Sequence, residues 1–180
     1  MTPLLDRDTV DLTTTQSVDD LMALFATLDA PAIADMDGEF DATLLSQPNL
    51  LSTALGAVMV RYPLAPWRAK AFRPIDAVSG RGYNSFRIVG AGRDVRRYPM
   101  LTSIAASRYD SRPVYQLDYR PFDSLNGRIN MVDEIRRVRP GVYLGIGTWG
   151  FTQRQRHIPL PFQLLGPARP YAGDIGTARP

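Results

Sequence analysis

The segment Asp133-Glu134-Ile135-Arg136-Arg137-Val138-Arg139 carries the densest charge in the chain. If it is extended, Ile129, Met131, Asp133 and Ile135 share one face and Glu134 points the other way. A carboxylate set among apolar side chains demands a partner, and in a barrel mouth, tuned by arginine, it can act as an acid or a base. The competing reading is a solvated turn whose exposed ion pairs contribute little. Asp133 is one candidate acid–base residue, and Tyr119 is the other. Extended, Val114 to Tyr119 places Tyr115, Leu117 and Tyr119 on one face and Gln116 and Asp118 on the other. Tyrosines presenting an apolar ring and a polar tip suit a cavity wall, and a core tyrosine bonded to backbone is the more ordinary role.

Other positions could build the rest of a pocket. Tyr143, Gly145, Gly147 and Trp149 share parity, and glycine within a strand permits close approach by a ligand or by another backbone. A bend at a barrel corner accounts for the same row. Asn84 shares parity with Phe86 and Ile88 and is placed to reach a carbonyl. Trp67 shares a face with Ala69 and Ala71 and is expected to point inward. Lys70, the sole lysine, is then expected to point outward as a surface residue, with a Schiff base or anion site as its chemical alternative. Arg128 is a further candidate for orienting a ligand. The candidate ligand-binding set is thus Trp67, Asn84, Phe86, Tyr115, Arg128, Tyr143 and Trp149, with Asp133 and Tyr119 as candidate catalytic residues.

The elements that must position these residues are mostly strands. Ser17 reads as a helix N-cap, with Asp19 and Asp20 in the first turn and Val18, Leu21, Met22, Phe25 and Leu28 at helical spacing. Pro31 stops that helix. Met36 to Leu45 alternates as a strand, and Pro48-Asn49 opens a second helix running through Tyr62. Beyond it the chain reads as all β. Strands are predicted at 67–73, 83–89, 100–109, 114–120, from Arg128, at 142–149 and at 158–165. Turns are expected at Gly80-Arg81-Gly82, Gly90-Ala91-Gly92, Asp110 to Pro113 and Asn126-Gly127. About eight strands with short connections suggest an antiparallel barrel or sandwich. Residues 1–16 read as a loose arm, 17–165 as one domain and 166–180 as a disordered tail.

Composition excludes several chemistries. The 180 residues contain no cysteine, which removes disulfides, thiolate nucleophiles and zinc–thiolate sites. His157 is the only histidine, so no multi-histidine metal site exists, and no G-x-S-x-G elbow accompanies it for a hydrolase triad. No glycine-rich dinucleotide or phosphate loop occurs. The net charge is +3, and the arginines are scattered rather than interleaved with aromatics, which argues against nucleic acid. No apolar run approaches the ~20 residues that span a bilayer, and no signal peptide is indicated. A soluble cytoplasmic protein, monomeric or homodimeric, is expected.

The run SVDDLMALFATLDAPAIADMDGEFDATLL, followed by LAPWRAKAF, resembles the front of the GXWXG-type lipocalin-like (calycin) bacterial proteins. These carry an amphipathic helix, a Gly-x-Trp-x-Gly strand and a Trp-x-Gly-Lys-x-Phe strand. The back half, PVYQLDYRP…VDEIRRVRPGVYLGIG, is similar to their C-terminal region. Here Phe40 stands at the signature tryptophan, Ala42 at the second glycine, and Ala69 between Trp67 and Lys70 where glycine is expected. The resemblance covers about residues 17–165. It implies a mainly β fold: an antiparallel lipocalin-like β-barrel of about eight strands, with one or two short helices near the N-terminus.

Two function classes follow. The first is a barrel that binds a small hydrophobic or amphipathic molecule, with no cofactor and no metal. The second is a cofactor-free isomerase or cyclase that folds a hydrophobic natural product into a reactive conformation, with Asp133 or Tyr119 moving a proton. Some calycin-type barrels hold haem through one histidine, which makes His157 the residue to locate.

Overall fold

The computed structural model describes residues 9–14, 17–48, 61–62 and 65–179. Helix α1 (Val18–Thr27) begins where the sequence predicts. The Ser17 side chain accepts from the Asp20 backbone N–H at 3.0 Å, and Leu21, Leu24 and Phe25 form the buried stripe. A single 3-10 turn (Ile33–Asp35) leads into β1 (Gly38–Leu44). The predicted second helix lies largely outside the described residues. Its expected end, Arg61–Tyr62, is instead a short strand, β2, paired with the start of β3.

The remaining strands run in chain order: β3 (Ala65–Pro74), β4 (Ser79–Arg87), β5 (Asp94–Ala106), β6 (Pro113–Asp118), β7 (Val132–Arg139), β8 (Val142–Thr148) and β9 (Leu160–Arg169). Each pairs antiparallel with the next from β3 to β9, and β1 pairs with both β9 and β3. Among the described residues this closes an eight-stranded barrel from β1 and β3–β9, and closure leaves those strands without a free edge. Two short helices interrupt the ring, α2 (Leu125–Arg128) and α3 (Gln153–Arg156). No helix among the described residues is long and apolar enough to cross a membrane.

Two packed layers hold the fold. Inside the barrel, Phe40, Phe72, Met100, Tyr115, Leu117, Ile135, Tyr143 and Leu164 pack together. Outside it, Leu21, Leu24, Phe25 and Leu28 of the helical segment cover Val114, Val138, Leu144 and Ile146. Strand β7 is therefore buried on both faces, and its outer row is not the solvated row that the charge pattern suggests. Glu134 and Arg136 are both fully buried. Glu134 accepts from Ser107 Oγ at 2.6 Å and from the Arg108 backbone N–H at 2.9 Å. Arg136 forks onto both oxygens of Asp110 at 2.7 Å and donates to the Phe25 carbonyl at 2.8 Å. Buried charges persist only when paired in this way.

Several local expectations are corrected. Gly80-Arg81-Gly82 lies within β4, and residues 75–78 make the reversal. A Cβ at Gly80 would lie 2.6 Å from Thr102 Oγ1 and 2.7 Å from the Arg73 carbonyl, so glycine here serves close strand approach rather than a turn. Asn126-Gly127 lies in α2, capped by Ser124, and a Cβ at 127 would lie 2.2 Å from the Phe122 carbonyl, so glycine here serves close approach rather than a hairpin. The proline-bearing β9 is not an edge strand. It sits between β8 and β1, and the Pro161 carbonyl accepts from the Leu45 N–H at 3.1 Å.

Part of the segment expected as a disordered tail pairs with the barrel. Gly166 to Arg169 belong to β9, where Arg169 holds Glu39 and Asp41 at 2.9 and 2.5 Å. Beyond it, Arg96 Nη1 donates to the Ala172 and Gly173 carbonyls at 2.6 and 2.8 Å, and the Ala172 N–H reaches Tyr83 Oη at 3.0 Å. Composition marks such a tail as weakly apolar, but the barrel's arginines supply partners for its carbonyls. The loose arm is likewise anchored in part: Leu12 is fully buried in the outer cluster, and Arg139 Nη1 donates to the Val10 carbonyl at 3.0 Å.

Candidate functional site

A bulge in β3 determines what faces the barrel interior. Trp67 stands opposite Phe86, but Ala69 stands opposite Ser85, so β3 uses two steps where β4 uses one. An extra residue reverses side-chain parity. Trp67 and Lys70 consequently both point inward, and Ala69 and Ala71 do not share the tryptophan's face. Regular alternation placed Lys70 at the surface; the structure buries it to 4% exposure.

The Lys70 ammonium meets three acceptors: Asp133 Oδ2 at 2.8 Å, Tyr119 Oη at 2.6 Å and Asn84 Oδ1 at 3.0 Å. Three hydrogens thus have three partners. Tyr119 Oη in turn donates to Asp133 Oδ2 at 3.1 Å and accepts from Asn84 Nδ2 at 3.3 Å. The cluster draws on β3, β4, the residue after β6, and β7. The rings of Trp67, Tyr119 and Phe162 surround the cation, with centroids 5.0 to 5.3 Å from Nζ.

Burial governs the protonation states. It pushes the Tyr119 phenol well above its usual 10, and the Asp133 carboxylate pushes it further, so Tyr119 stays neutral. Burial pulls Lys70 below the ordinary lysine range, opposed by the charge and hydrogen bond of Asp133. The lysine and its carboxylate therefore stand or fall together, since either alone would be an uncompensated buried charge.

Above this cluster lies a cavity that opens to solvent at its mouth. Trp67, Phe86, Tyr98, Trp149 and Phe162 supply aromatic walls, and Leu44, Met131 and Leu160 add aliphatic ones. The polar lining consists of Lys70, Asn84, Asp133, Asn126 and Gln47. Among the described residues no group donates to Asp133 Oδ1, Asn126 Oδ1 or Gln47 Oε1, and all three atoms are buried. Among the described residues no group of three or more His, Cys, Asp or Glu side chains is arranged to hold a metal ion.

The structure sorts the sequence candidates. Trp67, Asn84, Phe86, Asp133 and Trp149 line the cavity, and Tyr119 joins the cluster at its floor. Tyr115 and Tyr143 face inward but lie in the packed part of the barrel. Tyr115 Oη bonds Thr102 Oγ1 at 2.9 Å, and the Tyr143 ring meets Phe40 at 5.5 Å. Arg128 lies outside, with its side chain 70% exposed and paired to Asp123 at 2.9 Å, because α2 turns it away from the barrel. The room left by Gly145 is filled by the Phe162 ring, whereas Gly147 borders the cavity. His157 is exposed at the end of α3, with Nδ1 2.8 Å from the Gln153 carbonyl, and does not line the cavity. Sequence reasoning missed Tyr98, Asn126 and Gln47 and misdirected Lys70. For Lys70 a signal existed, since a single lysine in an arginine-rich chain marks a position where guanidinium does not substitute.

No family model matches the chain, and no curated protein matches it significantly. A solved structure of a protein from Thermomonospora curvata is similar, with a TM-score of 0.54 over 83% of this chain and 87% of that one. The two are 15% identical, so what they have in common is the fold.

Proposed function

We propose that this barrel binds a small hydrophobic or amphipathic molecule in its open cavity. The observation that carries this reading is the pairing of an aromatic-walled cavity with a buried polar cluster at its floor. Apolar walls supply affinity through burial of ligand surface, and a few fixed polar groups set orientation. The chain contains two tryptophans, Trp67 and Trp149, and both line the cavity. Intrinsic fluorescence is therefore an occupancy signal. Titration with small apolar aromatics should change it saturably, and native mass spectrometry should detect the same complexes. A linear, unsaturable response to all of them would remove the reading.

A second reading is a cofactor-free isomerase or cyclase working in the same cavity. It is favoured by one observation: a neutral phenol, Tyr119, bonded at once to an ammonium and a carboxylate. In that reading Tyr119 donates a proton, Asp133 receives one and Lys70 balances the charge. Tyr119→Phe and Asp133→Asn would each lower turnover of a substrate by about 10²-fold or more. Unchanged single-turnover rates in both variants would eliminate it.

A further inference from the structure

We infer that the molecule bound in this cavity is neutral and presents a hydroxyl or N–H group, and that this donor sits on Asp133 Oδ1. The inference rests on the ligand-binding reading and narrows it to a chemical class.

The polar floor is electrically closed. Lys70 is the cation among the described lining residues, and its three hydrogens already point at Asn84, Tyr119 and Asp133. An anionic ligand such as a fatty acid carboxylate would find no free positive donor there, and would bring a second negative charge beside Asp133. A cationic ligand would stand next to the Lys70 ammonium. Both arrangements leave an uncompensated charge in a buried site.

What the floor does offer is acceptors. Asp133 has one oxygen, Oδ2, engaged by both Lys70 and Tyr119, while Oδ1 has no donor among the described residues. Asp133 is 2% exposed, so this is a buried lone-pair site on a charged group. The direction of Gln47 is fixed, because its Nε2 donates to the Leu45 and Pro161 carbonyls at 2.9 and 3.0 Å, leaving Oε1 as the unpartnered end. Asn126 Oδ1 is the third such atom. A lining rich in unpartnered acceptors selects a ligand that donates.

Gly147 borders the main acceptor. A Cβ built there would lie 3.2 Å from Asp133 Oδ1 and at ordinary contact distance from Leu160. A methyl group at 147 would crowd that oxygen, on the side of the carboxylate away from the Oδ2 that Lys70 and Tyr119 hold.

The test compares three ligands of one shape at pH 7 by tryptophan fluorescence: 4-butylphenol, its methyl ether and 4-butylbenzoate. The phenol is neutral at this pH and donates, the ether is neutral and cannot, and the benzoate is an anion. The phenol should bind about tenfold more tightly than the ether, the difference expected for one hydrogen bond to a charged acceptor, and the benzoate should bind weakest. In Gly147→Ala, with its fold checked by circular dichroism, the phenol's advantage should shrink to about twofold or less while the ether's affinity holds. An ether as tight as the phenol, or a benzoate tighter than both, overturns the inference and leaves cavity binding intact. A tenfold advantage that survives in Gly147→Ala overturns the assignment of Asp133 Oδ1 as the seat. If none of the three binds, cavity binding itself fails, and this inference fails with it.

Discussion

Lys70 and Asp133 form a buried ion pair whose members cannot be removed singly without consequence. Lys70→Met should destabilise the protein by about 3–5 kcal/mol, because it leaves the Asp133 carboxylate buried without its cation. The double variant Lys70→Met with Asp133→Leu should recover much of that loss, and urea denaturation midpoints of the three variants measure the coupling. Full additivity of the two single changes would show that the pair does not act as a unit. At this scale the sequence was legible where alternation held. The inward positions of Tyr119, Met131 and Asp133 followed from period two, and so did that of Phe86. Lys70 was misread because one extra residue between Trp67 and Ala69 is invisible to a parity rule. Arg128 was misread because Ser124 and Gly127 close a helical turn where Asn-Gly suggested a hairpin.

Among the elements, β8 shows how glycine spacing divides packing from function. Gly145 and Gly147 share a face, yet one accommodates the Phe162 ring and the other borders the cavity. Gly145→Ala should therefore cost about 1–3 kcal/mol through forced displacement of that ring, read as a lowered thermal midpoint. Gly147→Ala, which meets only ordinary contacts apart from Asp133 Oδ1, should shift the midpoint far less. Equal losses in the two variants would contradict this division. The sequence marked both glycines and could not separate them, since the difference lies in which β9 side chain stands opposite. Helix α1 was legible from Ser17 and its apolar stripe. Its docking across β6 to β8, where Arg136 reaches the Phe25 carbonyl, includes a contact between residues more than a hundred apart and left no local trace.

For the whole molecule, the number of strands and their short connections were readable, but barrel and sandwich stayed open. Closure depends on β1 meeting both β3 and β9, a pairing of distant segments that no short window contains. The closed, covered barrel also sets its response to alkali. Burial raises Tyr109, Tyr115 and Tyr119 above the usual 10, and Tyr83 to about 12. In each case the folded state holds the phenolic proton more tightly than the unfolded chain. Their contribution to stability is thus complete below about pH 10 and is lost as pH rises toward 12 and beyond. Lys70, whose pKa burial lowers, works in the opposite direction as a single group. Denaturant midpoints should hold level up to about pH 10 and then fall, together with phenolate absorbance; midpoints that stay level to pH 12 would contradict the burial argument. Finally, a chain with one lysine, enclosed in the middle of β3, contains a built-in clock. A lysine-specific protease has a single bond to cut, and it reaches that bond only when β3 leaves the barrel. The rate of that one scission therefore counts openings of the whole molecule, and a bound ligand that slows it reports its own grip on the fold.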